Sequence, residues 1–110
     1  MSQKHGSVLK FAFGPMLFSL ACGLAEHARA ADPAYGQYLS SECVTCHRGD
    51  GQDKGIPAIV GWPSDQFVAV LKSYKARDRD NQIMQTIAGR LSDDEMAALA
   101  AYYGSLKPAQ

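Results

Sequence analysis

Cys43, Cys46 and His47 stand close together in "ECVTCHRGDG", residues 42–51. Two thiols separated by two residues and followed at once by an imidazole suit three chemistries. They can make a thiol–disulfide switch, contribute to a zinc site, or hold a haem covalently. A thiol switch wants its cysteines at a helix N-terminus behind a strand, inside a βαβ unit. No strand pattern precedes Cys43, and a switch leaves His47 without a task. A structural zinc ion needs four ligands, a catalytic one three and a water. Cys43, Cys46 and His47 are too tightly spaced to share one ion comfortably, and no second cysteine or histidine pair exists to complete it. A plain disulfide across two residues would close little chain entropy. Covalent haem uses every member: the thiols add to the porphyrin vinyl groups and the histidine reaches the iron.

The first 30 residues point the same way. Lys4, His5 and Lys10 make a weakly basic start, Phe11 to Ala25 is an apolar run, and "ARA" at 28–30 offers small residues for cleavage. The run is shorter than the ~20 residues of a membrane span, and Gly14 and Pro15 interrupt it. Residues 1–30 are therefore expected to be a cleavable secretory signal, with the mature form in the periplasm and not spanning the membrane. Cys22 after "SLA" loosely resembles a lipoprotein cleavage site, but Ser19 stands where such sites prefer a leucine-like residue. Lipidation is the second reading. No twin arginine is present, which favours export of an unfolded chain.

Cleavage after Ala30 leaves residues 31–110 as one domain. Cys22, His5 and His27 depart with the signal, so the two remaining cysteines and the one remaining histidine all lie in the opening stretch. Of 11 basic residues, Lys4, Lys10 and Arg29 are lost, and of 11 acidic residues Glu26 is lost, which gives a net charge of −2. That balance carries no nucleic-acid footprint. So small a chain commonly needs a staple, metal or cofactor to complete its core.

The elements that must position these groups read as helices. "PAYGQYLSSECVTC" (33–46) is expected to be the first, with Pro33 at its start and Gly36 as an awkward helix former. Residues 47–63, with Gly49, Gly51, Gly55, Pro57 and Gly61, read as a long loop wrapped around something. Ser64 is expected to cap a second helix bearing Phe67, Val70, Leu71 and Tyr74 at helical spacing. "RDRDN" (77–81) reads as solvated, and "QIMQTIAGR" as a short turn of helix. In the last helix Ser92 and Glu95 have capping-box spacing, Met96, Leu99 and Tyr103 mark one face, and Gly104 and Pro108 end it. The fold class is all-α, three to four helices and a long loop.

With His47 used, only a methionine can supply a second axial ligand in the manner of an electron carrier. Met96 lies on an apolar helix face and reads as core. Met84, flanked by Gln85 and Thr86, is the expected ligand, in the segment before the last helix where a loop can aim its sulfur inward. Trp62 is a candidate to pack on the haem, with an ordinary buried loop aromatic as the alternative. Lys72, Lys75, Arg77 and Arg79 are candidates to dock a redox partner, but interleaved acids favour a solvated face.

At this point the chain resembles the class I c-type cytochromes of bacterial, monohaem type. Gly36 and Leu39, "CVTCH", "GDG", "IPAIVG", Met84 and "LSDDEMAALAAYY" carry the resemblance over essentially all of the mature region. It implies a small cytochrome c fold around one haem c, with Cys43 and Cys46 in thioether bonds and His47 and Met84 on the iron. It further implies that Gly36 and Leu39 cross against Leu99 and Tyr102, and that the Pro57 carbonyl accepts the His47 ring proton. More narrowly, "SDQFVAVLKSYKARDRDNQIM" is similar to the cytochrome subunit of flavocytochrome c sulfide dehydrogenases, which accepts electrons from a flavoprotein. Arg48 departs from the glycine common after the histidine, and a cation there would raise the potential or meet a partner. The expected function is one-electron transfer between redox proteins, not catalysis. The alternatives are a five-coordinate haem sensor or catalyst, and a non-haem thiol protein.

Overall fold

The computed structural model describes residues 31–110 and, apart from them, Gly14 alone. The expected signal segment, with Cys22, thus lies outside the described residues. Four α-helices and no strand occur among them: α1 Pro33–Leu39, α2 Ser64–Lys75, α3 Gln82–Arg90 and α4 Asp93–Ser105. The all-α expectation holds, with the shortest helix first.

α1 starts where Asp32 accepts from Ala34 N at 2.9 Å, with Pro33 in the first turn. It is shorter than the expected 33–46. Ser40 Oγ donates to Gln37 O at 2.7 Å, taking a helix carbonyl for itself. The chain then continues to His47 as successive turns, because Ser, Cys, Val and Thr are weak helix formers.

α4 is the central element. Its capping box forms as the spacing predicts, with Ser92 Oγ accepting from Glu95 N at 3.2 Å and Glu95 accepting from Ser92 N at 2.8 Å. Met96, Ala98, Leu99, Ala100 and Tyr103 are all buried. Met96 is therefore core, as read. The helix passes through Gly104 and ends at Ser105, so Gly104 does not terminate it. Its missing side chain answers a packing need instead: a Cβ there would sit 3.1 Å from Trp62 O.

The first turn of α2 also differs from expectation. Pro63 is the cap, and Ser64 spends its hydroxyl on Ala100 O of α4 at 3.3 Å. α2 packs on α4 through Phe67, whose ring stacks on Tyr103 with centroids 5.6 Å apart. α3 begins at Asn81, whose side chain accepts from Met84 N at 3.0 Å. Lys72 of α2 pairs with Asp93 of α4 at 3.1 Å, and Arg90 with Glu42 at 3.1 Å.

The crossing of α1 over α4 sets where the thiols stand. A Cβ on Gly36 would lie 2.0 Å from Ala98 O and 2.7 Å from Tyr102 Cβ. Only a glycine permits this approach, which answers why a poor helix former sits mid-helix. Gly36→Ala must push the helices apart at a cost of about 3 kcal/mol. A fall of roughly 15 °C in the Tm of the haem-loaded protein is expected in a thermal melt followed by circular dichroism.

Candidate functional site

The turns after α1 fix the three chemical side chains. Cys43 N donates to Ser40 O at 2.9 Å, and His47 N donates to Cys43 O at 2.8 Å, so cysteines and imidazole ride on one rigid stretch. Cys43 is half-buried against the core, Cys46 is exposed, and the two are not joined in a disulfide. Among the described residues no three His, Cys, Asp or Glu side chains gather so as to share an ion. The zinc geometry set against haem in the sequence is therefore absent there.

His47 Nδ1 lies 2.6 Å from the carbonyl of Pro57. A carbonyl only accepts, so Nδ1 must carry the hydrogen, and in the neutral ring this tautomer leaves the Nε2 lone pair free for a ligand bond. The loop that brings Pro57 here is built from local turns. Asp50 Oδ1 accepts from Gln52 N at 3.0 Å and Asp53 Oδ1 from Gly55 N at 3.0 Å. Gly51 has φ +73° and lies against Pro108, where a Cβ would meet the proline ring at 3.0 Å. Ala109 N donates to Asp50 O at 3.0 Å and Gly61 N to Tyr103 O at 2.8 Å. The C-terminal segment and α4 together fasten this loop at both ends.

Thiols and imidazole face a cavity of about 340 Å³. α2 lines it with Phe67, Val70, Leu71 and Tyr74, the face read from helical spacing. α3 adds Ile83, Met84 and Ile87, and the loop adds Ile59 and Trp62. Met84 reaches the cavity from the first turn of α3, so a helix rather than a loop aims it. Trp62 lines the cavity and packs edge-on to Phe67 with centroids 6.5 Å apart. The cavity's size is within the range of small-molecule sites, roughly 300–1,000 Å³. Nearly all its wall is apolar, and its reactive groups are two thiols, one imidazole with a free Nε2, and one thioether. That donor set fits haem c.

Several lining residues escaped the sequence reading, Asn81 among them. Ile83 and Ile87 stand at helical spacing around Met84, a signal that was available. Arg79, read as solvated, lines the cavity and places its guanidinium 5.3 Å from the centre of the Tyr74 ring. The basic run is not a free patch: Lys72 is paired, and Lys75 Nζ donates to Leu91 O.

Charge near the site is largely settled locally. Burial pushes the Cys43 thiol up, keeping it protonated at neutral pH, against a smaller lowering by the Tyr103 hydroxyl. Arg48 is not the free cation the sequence allowed, because its guanidinium forks onto Asp50. The Arg48 hydrogen bonds, then the Gln52 N–H, lower the Asp50 carboxyl to about 2. Its pKa is thus depressed on folding from 3.8. The stabilisation is complete above that unfolded value and fades as pH falls through about 2. Asp50→Asn is expected to lower the urea midpoint slightly at pH 7, with the difference from wild type shrinking as pH falls from 3.8 towards about 2 and vanishing only below that. Acid titrations of both proteins would check it.

The sequence pattern of the family described as Cytochrome c matches residues 33–107. The cytochrome subunit of sulfide dehydrogenase from Chlorobaculum tepidum is 30% identical over 103 residues, covering 86% of this chain and 94% of that one. Cytochrome c-553 from Nitratidesulfovibrio vulgaris is 31% identical over 97 residues, covering 83% and 95%. Among solved structures, reduced cytochrome c4 from Pseudomonas stutzeri superposes with a TM-score of 0.63 at 26% identity. That match takes in 70% of this chain and 50% of the cytochrome c4 chain.

Proposed function

The chain belongs to the cytochrome c family, and from that premise we propose that it is a periplasmic one-electron carrier whose haem c iron is held by His47 and Met84. The observation that carries this reading is the cavity itself, which gathers Cys43, Cys46, His47 and Met84 on apolar walls. Bound in it, haem c supplies one iron that takes up and gives back a single electron. Everything else falls to the chain.

Cys43 and Cys46 anchor the group through their sulfurs. His47 offers Nε2, and the bond from Nδ1–H to Pro57 O keeps the ring in one tautomer and one orientation. Met84 offers its thioether from a helix turn that Asn81 pins. A neutral sulfur ligand and a dry apolar wall both favour the reduced state, which raises the potential. Since both ligands sit on braced backbone, little of the protein must move when an electron comes or goes. No helix among the described residues is long and apolar enough to cross a membrane, in keeping with a carrier that meets its partners in solution after export. Likeness to a sulfide dehydrogenase cytochrome subunit supports a flavoprotein as the donor.

Met84→Leu tests the axial ligand. In the oxidised protein the methionine-to-iron charge-transfer band is expected to disappear. The midpoint potential should drop by on the order of 0.1 V or more, within the ~0.8 V that axial ligands span. An unchanged band would assign the ligand elsewhere, and a high-spin wild-type spectrum would favour a ligand-binding haem instead.

A further inference from the structure

Tyr103 is 1% exposed, and its hydroxyl oxygen is buried with no hydrogen-bond partner. A buried phenol left unpaired costs about 1–3 kcal/mol, whereas phenylalanine at the same place would cost nothing of the kind. The ring alone is well used, stacked on Phe67 and edge-on to Tyr102 with centroids 5.1 Å apart. Packing thus explains an aromatic residue here but not its hydroxyl.

Two polar side chains act on the hydroxyl from nearby, Cys43 and then Ser40, neither in hydrogen-bonding geometry. Ser40 Oγ already spends its hydrogen on Gln37 O, so it can only accept. Cys43 Sγ changes character when the haem is attached. As a thiol it is a weak donor as well as a weak acceptor; as a thioether it has lost its hydrogen and can only accept. Attachment therefore leaves the one reactive group beside Tyr103 as an acceptor only, matched to an unspent O–H and no longer able to compete as a donor. Burial and the neighbouring Cys43 both make loss of the phenol proton harder, so the hydroxyl remains a donor throughout the physiological range.

We propose that Tyr103 is a positioning residue for the haem: its hydroxyl donates to the Cys43 sulfur of the finished thioether, fixing that bond's orientation and drawing electron density from it. The proposal rests on the covalent haem of the preceding reading and is independent of Met84. Withdrawing density from a substituent of the macrocycle favours the state with the extra electron, so the contact raises the potential.

Tyr103→Phe in the haem-loaded, periplasmically matured protein tests it, since phenylalanine keeps the ring and its stacking. The variant is expected to keep the wild-type visible spectrum but to show a lower midpoint potential and a lower Tm. In the reduced wild type, proton NMR should show one slowly exchanging hydroxyl signal with an Overhauser contact to the Cys43 β-protons, absent from the variant. Ser40→Ala is expected to leave both the potential and that contact in place. An unchanged potential with an equal or higher Tm in Tyr103→Phe would overturn the proposal, as would a hydroxyl contact to Ser40 alone. A high-spin wild type showing the Cys43 contact would sink Met84 ligation and leave Tyr103 supported, whereas a wild type without haem would overturn both.

Discussion

Burial of one apolar prosthetic group against the cavity walls is the interaction on which the rest of this structure depends. Side chains from α2, α3 and the long loop converge on that cavity, and several of them, Ile59, Phe67 and Leu71, also belong to the protein's own core. That core is centred on α4, where Met96, Leu99 and Tyr103 are the largest fully buried side chains. Each ~100 Å² of apolar surface taken from water contributes ~2.5 kcal/mol. A chain of this length has little surplus with which to leave those walls wet.

Two devices hold the walls where the group needs them. The glycine contact between α1 and α4 fixes where the turn carrying Cys43, Cys46 and His47 leaves the bundle. The loop from Arg48 to Gly61 is then tied to His47 through Pro57, to α4 through Gly61, and to the C-terminal segment through Asp50. An imidazole held this way has one orientation available, which suits a carrier whose two redox states should differ little in shape. The same bracing explains why so irregular a loop can be part of a precise site.

Much of this was legible because the sequence states its constraints locally. "CVTCH" names a chemistry by residue type and spacing, Ser92 and Glu95 announce a helix start, and Phe67, Val70, Leu71 and Tyr74 mark one face of α2. What escaped notice depends on partners distant in sequence. Ser64 reads as a cap, yet its hydroxyl is captured by Ala100, 36 residues away. Gly104 looks like a helix stop, but it answers the Trp62 carbonyl. Arg79 sits in a charged run that reads as solvated until Tyr74 is seen beside it. Met84 is expected as a ligand once Met96 is set aside as core, while the turn of α3 that carries it follows from Asn81 as a cap, a signal present but unused.

Circular dichroism melting of the mature chain, with and without haem, is the most direct check on the dependence of fold on cofactor. The Cys43→Ala, Cys46→Ala double variant serves as the chain that cannot hold haem covalently. The account predicts a cooperative, strongly helical melt for the loaded protein, and for the double variant reduced helix signal with a broad transition lacking a clear midpoint. A double variant with the same helix content and an equally sharp melt would contradict it, showing that α4 and its neighbours fold without the group they surround.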